Sequence, residues 1–387
     1  MESIPYSCQQ VTQDDIDAVV EALRSEYLTQ GPRVPAFEQA FAERHQVKHA
    51  IAVSNATAAL HIGCLALGVG PGSRVWTTPN SFLASANCAL YCGAHVDFVD
   101  IDPATRMLSI PQLQAKLRAA KAAGTLPQVV IPVDFSGLPC DLHELRALAD
   151  EYGFRILEDA SHAAGARYRE LPVGSAYADL AVFSFHAVKV VTTAEGGMVT
   201  TQDDGLAQSL RLLRSHGMSR DQSRMSIAPP GAWYYEQVAL GFNYRMTDLQ
   251  AALGLSQLGR LDELQQARLA LADRYDALLG SSPLVLPPRR ADRASSWHLY
   301  VIELKEPYVG RRADIFRRLR EAGIGVNVHY IPIHLQPYYA RMGFKAGQFP
   351  AAESYYQRAL TLPLFPAMSH SQQDRVVAAL CDALQGP

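Results

Sequence analysis

The sequence predicts an α/β protein with a mainly parallel sheet, followed by a smaller α+β unit. Three observations carry this expectation. Seven short β-rich runs alternate with helical stretches between residues 48 and 200. Most of the helical stretches close on a glycine that can serve as a C-cap. At 387 residues, 48% hydrophobic and 19% charged, the chain can bury a substantial core and is neither disordered nor fibrous.

In order, the strand runs are HAIAVSN, RVWTTP, HVDFVDI, QVVIPVDF, FRILEDA, LAVFSFH and GGMVTT. Between them TAALHIGCLALG, PQLQAKLRAAKAAG and DLHELRALADEYG read as amphipathic helices. One long helical run, TDLQAALGLSQLGRLDELQQARLALADRYDALLG, then leads to a second unit. There, strand-like HLYVIEL precedes helical RRADIFRRLREAG and GVNVHYIPIH. The expected division is a large α/β domain over 14–260 and a small domain over 261–387 that includes the N-terminal arm, 1–13.

A formal net charge of -3 argues against nucleic acid or a basic membrane face as partner. Cysteines 8, 64, 88, 92, 140 and 381 form no CxxC pair and read as reduced core residues. The opening MESIPYSCQQVTQDD lacks a signal-peptide pattern and no later run approaches the length of a membrane span, so a cytoplasmic protein is expected.

Ligands of open parallel sheets sit outside the carboxyl ends of the strands, so polar residues closing apolar strands are the first candidates. FRILEDASH supplies Glu158, Asp159 and His162; FSFHAVK supplies Ser184, His186 and Lys189; IAVSNATAAL supplies Ser54, Asn55 and Thr57 at the opening of a helix. Lys189 is one of six lysines beside 29 arginines and lies among apolar neighbours. Desolvation lowers the pKa of such an ammonium and frees an amine for a Schiff base with an aldehyde cofactor; taken alone, the residue reads first as a surface lysine after a strand.

Asp159 suits the other end of pyridoxal 5'-phosphate (PLP), whose pyridine nitrogen stays protonated beside a carboxylate, although a lone Asp there is also a common helix cap. Backbone N–H groups of Ala56, Thr57 and Ala58 at a helix start favour a phosphate, and Ser184 can add a hydroxyl. Phe82 could stack on the pyridine ring, or be core. His162 could bond the phenolic oxygen, or be structural. Gly196 and Gly197 read as a tight turn.

With SNATAALH, EDASHA, SFHAVKVVTTAEGG and GFNYRMTDLQAALGLSQL in the same order and at compatible spacing, the chain resembles the sugar-nucleotide aminotransferases of PLP fold type I over nearly its whole length. Through IPYSCQ, YLTQGP, VWTTPNSFLASANCALYCGA, WYYEQVALGFNYRMTD and VHYIPIH it is most similar to those of pseudaminic acid biosynthesis. The resemblance implies L-glutamate as donor and UDP-linked 4-keto-6-deoxy-N-acetyl-altrosamine as acceptor. It makes Lys189 the Schiff-base lysine and proton shuttle, Asp159 the pyridinium partner, and Ser184 and Thr57 phosphate ligands. It sends Asn243 to the neighbouring subunit's cofactor, hence a homodimer. Tyr6, the segment Leu28, Thr29, Gln30 and Gly31, and the segment His329, Tyr330, Ile331 and Pro332 are implied on the substrate side. No metal is implied.

One departure is visible: the family often has Gly where this chain has Ala194, which strains the turn if a positive φ is needed there. Relatives that dehydrate sugars carry His in place of the lysine, and Lys189 argues against that reaction. A PLP-dependent lyase or desulfurase is a rival on the same fold, but no cysteine stands in an obvious mobile loop. A non-catalytic sensor is disfavoured by Lys189 and Asp159 together. Arg245 is a candidate for the glutamate carboxylate or a structural ion pair.

Overall fold

A computed structural model describes residues 3–385. All seven strand runs form strands of one sheet: β1 (His49–Val53), β2 (Arg74–Thr77), β3 (His95–Phe98), β4 (Val129–Ile131), β5 (Arg155–Asp159), β6 (Leu180–Ser184) and β7 (Gly197–Thr201). Their order is β1-β7-β6-β5-β4-β2-β3. Only β7 runs antiparallel to its neighbours β1 and β6; the other pairs are parallel.

Strand alternation sorts the residues onto two cores. Ile51, Val53, Leu157, Leu180 and Val182 face the helices α3 (Ala56–Ala66) and α4 (Ala84–Tyr91), where Leu60, Ile62 and Ala86 meet them. Ile156 faces the other way, against Leu145 and Leu148 of the helix Leu142–Tyr152. Ala50, Ala181 and Phe183 pack on Phe37 and Phe41 of the helix Arg33–His45, where Phe41 meets the rings of Phe37 and Phe183 edge-on. In β5, therefore, Asp159 points to the α3 and α4 side, while Glu158 points to the opposite face.

The run 247–280 departs from one long helix. It breaks into Asp248–Gly259 and Leu261–Leu279 at Arg260, which leaves helical geometry (φ -104, ψ 7). Gly259 weakens the helix there, and Arg260 turns its guanidinium toward the buried Asp15 carboxylate (3.3 Å) of the helix Gln13–Arg24. Further on, Leu284–Val285, Tyr300–Leu304 and Ala359–Leu362 form an antiparallel sheet backed by the helices Arg312–Glu321 and His370–Gln385. The N-terminal arm is tied to this unit: Ile4 N–H donates to Gly323 C=O (2.9 Å), and Leu364 N–H donates to Tyr6 C=O (3.0 Å). Cys64, Cys88, Cys92 and Cys140 are buried and all six cysteines are free. Among the described residues, no helix is long and apolar enough to cross a membrane.

Candidate active site

A cavity of about 800 Å³ opens at the carboxyl ends of β5 and β6 and the start of α3. Its wall includes Asp159, His162, Ser184 and Lys189 from the sheet side, Asn55, Ala56 and Thr57 from the helix start, Phe82 from the segment before α4, Tyr6 from the arm, and His329 and Tyr330 from the second unit. The strand endings that are far apart in sequence thus converge on one space, as open parallel sheets direct.

Asp159 is held from two sides. Its Oδ2 accepts a hydrogen bond from Ser85 Oγ (2.6 Å), itself 2.6 Å from Ser81 Oγ, and its Oδ1 accepts from the Ser161 N–H (3.2 Å). The residue is 5% exposed and belongs to the cavity wall. Lys189 follows β6 in a turn closed by its own N–H on the His186 C=O (2.9 Å). Burial lowers its ammonium to about 8, with the Asp159 charge pulling the other way. Ser7 Oγ reaches the Val188 C=O (3.4 Å) and couples the arm to this turn.

At the start of α3, Asn55 Oδ1 accepts the Ala58 N–H (2.8 Å). That corrects the sequence reading of Ala58: its N–H is consumed by the cap, and the residue, 4% exposed, does not reach the cavity. Ala56 and Thr57 keep their N–H groups for an anion. Where β7 begins it passes so close that a Cβ on Gly197 would lie 2.7 Å from Asn55 C, so only glycine fits.

His162 Nε2 lies 3.2 Å from Tyr330 Oη, and its Nδ1 is buried without a partner. Its ring is 4.4 Å from that of His298, a cavity residue the sequence reading missed. Burial, reinforced by the Lys189 charge, holds both imidazoles well below their ordinary pKa, hence neutral. His298 opens the strand run HLYVIEL, so its polar side chain at an apolar strand was the available signal. Ser85, inside α4, gave none.

Several expected residues lie elsewhere in the chain's own structure. Leu28, Thr29 and Gln30 are exposed and Gly31 is half-buried; none lines the cavity, because Asp248 draws this segment to the helix Asp248–Gly259, accepting the Gly31 N–H (2.8 Å). Ile331 is 47% exposed, Pro332 is buried but off the cavity wall, and Asn243 is exposed in a bridge with Ser215. Arg245 donates to Ser215 Oγ (3.1 Å) and is absent from the cavity wall. Phe82 stands at the mouth, 59% exposed, its ring 6.4 Å from Tyr330.

Ala194 does adopt a positive φ, 64°. A left-handed alanine costs about 1 kcal/mol, partly offset by the entropy glycine loses on folding. Ala194→Gly is expected to raise the apoprotein's stability by a few tenths to about 1 kcal/mol in denaturant unfolding. Ser85→Ala removes a hydroxyl bonded to a carboxylate, about 1.5 to 3 kcal/mol. Turnover at saturating cofactor is expected to drop about tenfold with the fold intact.

A parallel sheet with an amine of lowered basicity and a buried carboxylate on one cavity is the equipment of an enzyme that works on carbonyl groups. Residues 9–381 match the DegT/DnrJ/EryC1/StrS aminotransferase family, and the chain belongs to that family. It is 41% identical over 387 residues to the spore coat polysaccharide biosynthesis protein SpsC of Bacillus subtilis, covering 99% of this chain and 97% of that one. Its structure is similar to Helicobacter pylori PseC, an aminotransferase involved in the biosynthesis of pseudoaminic acid (TM-score 0.90, 30% identity, 99% of each chain). It is similar also to the PLP form of Spr1654 from Streptococcus pneumoniae (TM-score 0.89, 30% identity, 98% of each chain). The expected α/β architecture of fold type I is therefore the observed one.

Proposed function

We propose that the chain is a PLP-dependent aminotransferase that moves the amino group of L-glutamate to C4 of UDP-4-keto-6-deoxy-N-acetyl-L-altrosamine. The observation that carries the chemistry is Lys189 and Asp159 on one cavity, with the lysine's basicity lowered to about 8. The likeness to PseC and the shared sugar-nucleotide motifs support the substrate. A second reading, another 4-keto-6-deoxy sugar nucleotide, is favoured by the higher identity to SpsC. Incubation with glutamate and a panel of UDP-4-keto sugars separates the two: amination of the altrosamine-type ketone alone supports the first.

The residues present fit the cofactor. Ala56 N–H, Thr57 and Ser184 Oγ would hold the phosphate, Asp159 the ring nitrogen, His162 the phenolic oxygen, and Lys189 Nζ the aldehyde carbon. When bound, PLP supplies an electron sink for the bond to the donor's α-hydrogen. Lys189 Nζ, freed by the incoming donor, takes that proton and in the second half-reaction delivers one to C4 of the sugar. The neutral His162 and His298 add no charge to compete with the protonated ring. Parallel double-reciprocal lines are expected.

Only the neutral amine attacks an aldehyde, and the folded pKa of Lys189 is near 8. The rate at which apoenzyme captures PLP should therefore climb with pH below about 8 and level off above it, read by stopped-flow absorbance. A rate still climbing in proportion at pH 9 to 10 contradicts the depressed basicity.

The active unit is a homodimer in the cytoplasm. Trp233 (73% exposed), Leu240 (80%) and Ile227 (56%) give the segment before Asn243 an apolar surface suited to a second copy. In that arrangement Asn243 reaches the phosphate in the neighbour's cavity, and residues 28–31 sit on the substrate side. Mixing Lys189→Ala with Asn243→Ala subunits is then expected to restore activity, since one site of the mixed dimer has both residues. No recovery counts against sharing.

A further inference from the structure

Directly behind Asp159, on the opposite face of the sheet, two carboxyl side chains are buried against each other. Asp134 follows β4 and Glu158 precedes Asp159 in β5, and both are 0% exposed. Asp134 Oδ1 accepts the Cys140 N–H (2.8 Å). Asp134 Oδ2 and both Glu158 oxygens receive no well-formed hydrogen bond from any donor among the described residues, the Gly174 N–H offering Glu158 only a loose contact. Among the described residues neither group forms an ion pair, and the Asp159 carboxylate adds a further like charge beside both. Two carboxylates in such a place cannot both ionise, and a carboxylic acid facing a carboxylate needs one proton to satisfy both.

We infer that Asp134 and Glu158 share a single proton in one carboxylic acid–carboxylate hydrogen bond, and that this bond is the positioning element that presents Asp159 to the cavity. Burial holds Glu158 well above the carboxylate range, with Asp134 adding to the effect, and burial lifts Asp134 to about 6. Asp134 accepts the Cys140 N–H while neither Glu158 oxygen receives a comparable bond, so the charge sits on Asp134 and the proton on Glu158.

The bond acts on Asp159 through the backbone. Asp159 N–H donates to Pro132 C=O (2.8 Å), and Asp134 N–H donates to Asp159 C=O (3.1 Å), so residues 132–134 extend the β4–β5 ladder just past the strand end. The side-chain bond from Asp134 to Glu158 closes the same ladder on its far face. With both faces fixed, the Cα–Cβ bond of Asp159 has one direction, toward Ser85 and the cavity. Keeping the acid neutral also leaves a single uncompensated charge behind Asp159 instead of two. The positioning role rests on the reading of Asp159 as the carboxylate that meets the cofactor's ring nitrogen.

Four proteins test it: wild type, Glu158→Gln, Glu158→Leu and Asp159→Asn. Difference infrared spectroscopy on the intact enzyme should show the carbonyl band of a buried protonated acid in wild type that Glu158→Gln lacks; its absence from wild type overturns the shared proton. Gln is a neutral stand-in that can still donate to Asp134, so Glu158→Gln should bind PLP within about twofold of wild type with the same visible absorption maximum. A loss of about tenfold or more in Glu158→Gln at unchanged melting temperature means that the charge of Glu158 is needed, and the inference fails. Glu158→Leu, unable to donate, should bind PLP about tenfold more weakly and show a displaced absorption band. Wild-type binding in Glu158→Leu removes the positioning role; if that variant does not fold, the infrared band and the Gln variant decide. Should Asp159→Asn leave PLP binding and its absorption unchanged, the role given to Asp159 falls; an effect there without one at Glu158→Leu defeats only the inference drawn here.

Discussion

Lys189→Ala is expected to abolish turnover, by on the order of 10⁴-fold or more, while leaving the fold and part of the PLP affinity in place. In the proposed reaction the side chain has two jobs at one atom. Among the described residues Nζ is the only amine on the cavity wall, so none of the others there can anchor an aldehyde as a Schiff base. The phosphate contacts proposed at Ala56, Thr57 and Ser184 would be independent of it, so binding is expected to weaken without vanishing. Borohydride reduction followed by mass spectrometry should find PLP fixed on Lys189 in wild type and on no lysine in the variant. Removing an enclosed ammonium also removes a desolvation cost. The folded pKa is depressed, so that cost is full below about 8 and fades as pH approaches the unfolded value near 10.5. The variant apoprotein should thus be more stable than wild type at neutral pH, with the difference shrinking toward pH 10. A variant that keeps a tenth of wild-type turnover removes Lys189 from the chemistry.

Much of this site is legible in the sequence because the sheet makes it so. Apolar strands that end abruptly in ED, in SFH and in SN announce where the chain meets a ligand, and the period of two in RILED already separates Asp159 from Glu158. The same logic fails where a residue's role depends on tertiary partners. Ser85 looks like one more small residue in ASANCALY, and only the approach of α4 to β5 makes it the donor to Asp159. His298 lies two residues before the strand Tyr300–Leu304 of the second unit, and nothing local says that this approach to the strand faces the cavity. Ala58 reads as a third phosphate donor until Asn55 is seen to occupy it. The break at Arg260 escaped because apolar periodicity runs through it, and the buried Asp15 that draws the guanidinium is some 245 residues away in sequence. Residues 28–31 and Asn243 are matched by motif alone; in the single chain they lie off the cavity wall, and the role proposed for them requires a second copy.

Asp159→Asn is expected to be the second most damaging change, lowering kcat on the order of 10²- to 10³-fold, with the Lys189 adduct still forming on reduction. Asparagine keeps the size of the side chain; its Oδ1 can still accept the Ser161 N–H, and its amide N–H can donate to the Ser85 hydroxyl where the carboxylate accepted from it, so the β4–β5 ladder and the wall of the cavity should be undisturbed. What it loses is the negative charge. A pyridine nitrogen beside a neutral amide releases its proton, and the ring then withdraws electrons poorly from the donor's α-carbon. Proton removal by Lys189 becomes the slow step, so a kinetic isotope effect with α-deuterated glutamate should appear or grow in the variant. The charge also acts on the lysine: Asp159 raises the Lys189 pKa against the larger effect of burial. Its loss should move the pH at which PLP capture levels off to a value below that of wild type. Serine 85 offers the control, since Ser85→Ala frees the carboxylate without discharging it and should show neither the isotope effect nor the downward shift. If Asp159→Asn turns over like Ser85→Ala, position and not charge is what the carboxylate supplies.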